Sequence, residues 1–240
     1  LVAAGLNFQY RRTPSLGLNL FTASLQADAE MGVLSLHGEG VGQFGAGDLD
    51  NGFNDVQITA FGAVVQAALN VDPWEFRIEG GFASGDGASN DTHFKTFTFD
   101  RDYNVGVMLF EQPMPTLAAA AGTDLNQGRT LEAALSGGAI SNALYLRPTV
   151  GRKLLEDLSV QAGALLARTA KMPDTIVVDR KKYGMEFDLG ATYTPFEHVD
   201  VGAEFGVFVP GTFYKNYTDD TYNGFSQTAF GGHISTRIHF

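Results

Sequence analysis

Glu75, Arg77 and Glu79 stand at alternate positions of one short stretch, and the same spacing joins His37 to Glu39 and Glu186 to Asp188. A spacing of two throws side chains to one side of an extended chain, so each set shares a strand face. Arg11, Arg147, Asp200, Glu204, His233 and Arg237 fall on the polar face of other strand-like runs and complete the set. Paired carboxylates could do general acid–base work, and a His beside an acid could activate a nucleophile. The five histidines, His37, His93, His198, His233 and His239, come with neither nucleophile-elbow nor metal-ligand spacing. His198 sits in a tight turn and His239 beside the end of the chain. No enzyme, metal site or cofactor is therefore expected. Charges confined to one strand face suit the inside of a barrel. In an open lumen they act on passing ions through focused fields, and in a blocked one they pair with one another or with a plug. Arg77 can be a same-face partner of Glu75 and Glu79 or a selectivity contact, and Glu186 with Asp188 can stiffen the wall through a hydrogen-bond network.

The elements that must hold these residues are strands. Thr228 to Phe240 alternates residue by residue, with Phe230, Ile234, Ile238 and Phe240 opposite His233, Ser235, Arg237 and His239. Trp74 to Phe82, Leu158 to Leu166, Tyr183 to Tyr193 and Val199 to Val209 alternate as clearly. Weaker alternation marks Leu6–Arg11, Leu16–Leu25, Met31–Phe44, Asp55–Ala67, Tyr103–Phe110 and Ala143–Val150. Counting directions back from Phe240 requires one more strand, and His93–Phe99 supplies it. The total is about 12, an even number as a closed antiparallel barrel requires.

Connections fall into two sets. Short turns are expected at Ala27–Glu30, Asn70–Pro73, Gly151–Asp157 and Thr194–His198, and long loops at 45–54, 85–92, 111–141, 170–182 and 211–224. Short turns at one end and long loops at the other belong to outer-membrane barrels. The Asp-rich stretch Asp48–Asp55 reads as a solvated Asx turn or, alternatively, a loop of hard oxygen ligands for calcium.

Composition narrows the class. A formal net charge of -11 leaves no basic face for phosphates, so nucleic acid is excluded as a partner. With no Cys there are no disulfides or thiolate chemistry, and 29 Gly with 19 Phe and 8 Tyr favours strands with aromatic belts. No apolar run reaches the roughly 18 residues of a membrane helix, whereas a spanning strand needs only about 9 to 11 with every second residue apolar. A soluble barrel or sandwich shares the alternation. Long strands, segregated loops and mid-strand Glu and Asp favour the membrane barrel, whose interior tolerates water. Phe76, Phe187, Phe205 and Ile234 are then expected to face lipid.

The run Phe99–Phe110, the segments Ala143–Gly151, Leu158–Ala170, Tyr183–Gly190 and Gly206–Gly211, and a weaker echo at Ala83–Asp86 resemble the alginate-export-like outer-membrane barrels and related myxobacterial-type barrels. The resemblance implies a bacterial outer-membrane location, outer-membrane lipid as surroundings, and Phe240 as the signal read by the barrel assembly machinery. Members of that family are commonly longer, and this chain opens at Leu1 already in a strand pattern. One barrel domain spanning 1–240 is expected, either by itself or as the C-terminal part of a larger barrel. The mixed, somewhat acidic interior set argues against carrying over polyanion transport. The expected activity is a porin-like channel for diffusion or export of small or polymeric solutes, polysaccharide among them; the alternative is a structural or partner-binding barrel with a plugged lumen.

Overall fold

Strict alternation of apolar and polar residues leaves a strand one solution: present the apolar row to one side and pair edges with its neighbours. In the computed structural model, which describes residues 2–49, 53–87, 92–111, 139–172, 180–214 and 227–239, the chain does this almost throughout. Its strands are β1 (Val2–Thr13), β2 (Leu18–Met31), β3 (Leu34–Leu49), β4 (Phe53–Val71), β5 (Trp74–Ala83), β6 (His93–Phe94), β7 (Ala143–Lys153), β8 (Leu158–Thr169), β9 (Lys182–Phe196), β10 (Val199–Pro210) and β11 (Ala229–Ile238). All 11 belong to one sheet ordered β1-β2-β3-β4-β5-β7-β8-β9-β10-β11, with β6 beside β4. Every pair along that path is antiparallel.

Register puts like beside like. Phe76 lies opposite Leu69, Phe187 opposite Val207 and Leu189 opposite Phe205. These rows form the outer face, where Phe76, Phe187, Phe205 and Ile234 are 47%, 51%, 47% and 80% exposed. Apolar side chains left this bare on so many adjoining strands call for an apolar surrounding. The four are not packed in a core.

The strands outrun their sequence limits. β2 continues to Met31 and turns only at Gly32, whose φ of +63° is left-handed backbone that glycine adopts without penalty. Of residues 45–54, expected as a loop, 45–49 and 53–54 instead carry the β3–β4 ladder onward, with Ala46 opposite Gln57 and Gly47 opposite Val56, while 50–52 lie outside the described residues. The glycines that suggested a loop are there for close approach. A Cβ at Gly45 would strike the carbonyl of Asn19, and one at Gly47 the Cα of Leu18. At the end of that hairpin the N–H of Asp55 donates to Asp48 Oδ1 at 2.9 Å.

Turns still segregate. β2–β3, β4–β5, β7–β8 and β9–β10 join at one end through at most four residues. The β5–β7, β8–β9 and β10–β11 connections all lie at the other end. Two junctions at that second end are exceptions: β1–β2, a single 3-10 turn over Pro14–Leu16 closed by the N–H of Gly17 to Pro14 O, and β3–β4, which spans only the three residues between Leu49 and Phe53. Of the expected long loops, residues 88–91, 112–138, 173–179 and 215–226 lie outside the described residues.

Two expected strands are corrected. His93–Phe99 supplies only the two-residue β6, parallel to β4 where β5 has already ended. Tyr103–Phe110 is no strand at all, because its backbone donors are taken by a side chain on the inner face of the sheet. Both losses fall in the single β5–β7 connection, so about 12 becomes ten strands in the meander and the alternation of direction survives.

Candidate functional site

Residues 92–111 leave the end of β5 and fold against the inner face. Phe97 donates its N–H to Ser84 O at 3.0 Å and Phe99 to Ile140 O at 2.9 Å, which ties the segment to both of its neighbours in sequence. Its apolar side chains, Phe97, Val105 and Leu109, are buried with Tyr145, Leu165 and Phe208 from the sheet. Contacts with residues 97–110 reach from β4 to β11. That many strands lie roughly 29 Å across in a flat sheet, so the sheet curls around the segment.

Two carboxylates of the predicted set anchor it. Glu186, completely buried, accepts the backbone N–H groups of Val107 and Met108 on Oε1 at 2.6 and 2.7 Å and that of Leu109 on Oε2 at 2.5 Å. Three successive peptide donors turned onto one carboxylate form an anion nest filled by the protein itself. Glu79 is the second anchor. Its Oε1 accepts the hydroxyls of Tyr145 at 2.6 Å and Tyr103 at 2.9 Å, and its Oε2 accepts Gln66 Nε2 at 3.0 Å. Burial, with the Glu79 charge adding, pushes the Tyr103 hydroxyl up to about 12, so it stays a donor. Beside Glu186, Asp188 takes no hydrogen bond from the described residues, and Arg147 Nη2 lies 4.0 Å from its Oδ2.

The remaining predicted residues face inward as their parity requires but stay nearer to water. Arg77 Nη2 binds Glu75 Oε1 at 2.5 Å, whereas Glu79 goes to the tyrosines, so only one of the two expected same-face partners is engaged. His37 Nδ1 lies 2.6 Å from Asp28, and His233 Nε2 lies 3.6 Å from Glu204. Asp200 accepts Thr194 Oγ1 at 2.8 Å and lies 2.9 Å from His239 Nε2. Arg11, Glu39 and Arg237 are exposed. Among the described residues no three His, Asp or Glu side chains converge as a metal site.

Alternation therefore located the inward groups but missed the segment that covers some of them. A signal for it was present in the inward glycines. The ring of Phe97 lies where a side chain at Gly62 would be, the ring of Tyr145 where one at Gly81 would be, and Met108 against Gly231. At Gly206 a Cβ would come within 3.0 Å of Val107, Asp188 and Glu186. These glycines are the imprint of what packs on the wall.

The antiparallel meander has a solved counterpart. The crystal structure of OccK11 (OpdR) from Pseudomonas aeruginosa, an outer-membrane porin barrel, superposes with a TM-score of 0.50 at 10% identity, over 99% of this chain and 55% of that one. The fold matches part of an outer-membrane porin barrel, and among the described residues the end strands β1 and β11 do not pair with each other to close the sheet. This chain spans about half the length of that porin. No family model and no curated protein matches the chain, so the narrower alginate-export-like resemblance gains no support.

Proposed function

We propose that the chain forms the wall of a porin-like channel in a bacterial outer membrane, passing small polar solutes by diffusion, with residues 92–111 as its constriction. One observation carries the reading: beside the covered half of the inner face, Arg11, Glu39, His233 and Arg237 remain exposed opposite an apolar outer face. Water on one side and lipid on the other accounts for both. The thirteen residues then divide by role. Glu79 and Glu186 hold the constriction with Asp188 and Arg147 beside them, and Arg11, His37, Glu39, Glu75, Arg77, Asp200, Glu204, His233 and Arg237 set the field along the path.

Channel rather than enzyme is supported by what the carboxylates do. Glu186 and Glu79 are occupied in holding backbone and tyrosines, and in the described His–acid pairs of His37, His233 and His239 no hydroxyl bonds the imidazole. The seven inward carboxylates outnumber the four inward guanidinium groups of that set, which disfavours a polyanion such as an acidic polysaccharide. Outer-membrane lipid around the apolar face and delivery through the C-terminal strand by the barrel assembly machinery complete the proposal. The packed cluster of Val105, Leu109, Leu165 and Phe208 favours a second reading, a plugged barrel. Conductance of the full-length protein in planar bilayers separates them. Stable unit steps support the channel, and their absence from correctly folded protein supports the plug.

A further inference from the structure

Between residues 92–111 and the inner faces of β3 and β4 lies a cleft of about 140 Å³ lined by Glu39, Val64, Phe97, Phe99, Asp100 and Tyr103. It is separate from the Glu186 anchor and has its own chemistry. Phe97 and Phe99 meet edge to face at 5.7 Å and 81°, and Phe99 and Tyr103 at 5.5 Å and 74°. Successive near-perpendicular rings turn their electron-rich faces in different directions, which is how aromatic side chains surround a cation. Tyr103 is fixed from behind by its bond to Glu79, and a phenol that donates to a carboxylate has a more electron-rich ring. Two carboxylates join the rings. Glu39 is exposed and makes no hydrogen bond or ion pair among the described residues, and the exposed Asp100 carboxylate accepts, among them, only the N–H of Asp102 at 2.9 Å. Among the described residues no Lys, Arg or His lines the cleft.

We propose that this cleft binds a small organic cation, an ammonium or guanidinium head group that lies against the rings of Phe99 and Tyr103 and faces the carboxylates of Glu39 and Asp100. The volume admits a head group and not a whole polymer unit, so a longer solute would enter head first. Binding itself needs only the cleft. That the cation is also a transported solute rests on the channel reading above, with the cleft as a resting station beside the constriction.

The test uses the full-length protein folded in micelles and titrated calorimetrically with tetramethylammonium chloride, with sodium chloride as the ionic-strength control and glucose as a neutral ligand. Saturable binding of tetramethylammonium is expected. Phe99→Leu, which keeps an apolar side chain in place, should weaken it about 2- to 30-fold, while Phe99→Tyr should retain it. Glu39→Gln and Asp100→Asn, both at exposed positions, should each weaken it by up to about 5-fold, and salt should do the same to the parent protein. Absence of saturable binding, affinity unchanged in Phe99→Leu, or binding of glucose in place of the cation overturns the proposal. Unit conductance measured on the same preparation separates the two readings. Conductance without cation binding overturns the site and leaves the channel, whereas cation binding without conductance overturns the channel and leaves the site.

Discussion

Two stretches of the same inner face behave differently. Toward the long-loop end, from β4 to β10, Glu79, Glu186, Asp188 and Tyr145 are buried, and glycines such as Gly62 and Gly206 leave room for residues 92–111. On β1, on β3 and along β11, Arg11, Glu39, His233 and Arg237 point the same way and are exposed. Strand parity is identical in both. It decides which side a residue faces, and the neighbouring segment decides whether water reaches it.

The largest expected break in this contrast is at Glu186. Glu186→Ala removes three hydrogen bonds to a charged acceptor, each about 1.5 kcal/mol or more, so docking of the segment should lose about 4.5 kcal/mol or more. Trypsin cleavage at Arg101 in the folded protein should speed up and unit conductance should rise; unchanged protection would mean that the nest is dispensable. Next comes the neighbouring outward position. Phe187→Arg should cost about 2 to 4 kcal/mol in urea titrations of the protein refolded into vesicles, provided the site lies near mid-bilayer. Tolerance there would count against the assignment of faces. A smaller effect is expected at Gly231, where a side chain displaces only the flexible end of Met108. Gly231→Val should cost about 1 to 3 kcal/mol as overpacking, and a Met108→Ala background should relieve it. The smallest stability changes, within about 0.5 kcal/mol, belong to the exposed half. There Arg77→Gln should move the reversal potential under a salt gradient toward cation preference and Glu204→Gln the opposite way. Unmoved potentials in both would place these charges off the conduction path.

Much of this was legible in the residues themselves. The clean alternation of β5, β9, β10 and β11 gives their faces because a one-residue slip would turn every apolar side chain inward. Tyr103–Phe110 misled for a definite reason. Its alternating apolar residues satisfy a strand pattern, yet Val105 and Leu109 pack inside and the backbone between them bonds to Glu186. Periodicity within a segment carries no information about a carboxylate 77 to 79 positions away. Gly45 and Gly47 misled in the opposite direction, since a glycine placed for backbone approach looks the same in sequence as one placed for a loop. Alternation faces Glu39 inward but puts its aromatic neighbours Phe97 and Phe99 in a strand, which hides the cleft they share.

The separation along the chain between Glu186 and the peptides it holds also fixes an order of assembly. Residues 107–109 precede β9 by more than seventy positions, with β7 and β8 in between. A contact this remote forms only after the intervening chain has been brought together, and until then its donors have no partner of their own. The wall must therefore reach β9 before its inner segment can settle, which makes narrowing of the interior a late event in the life of each molecule.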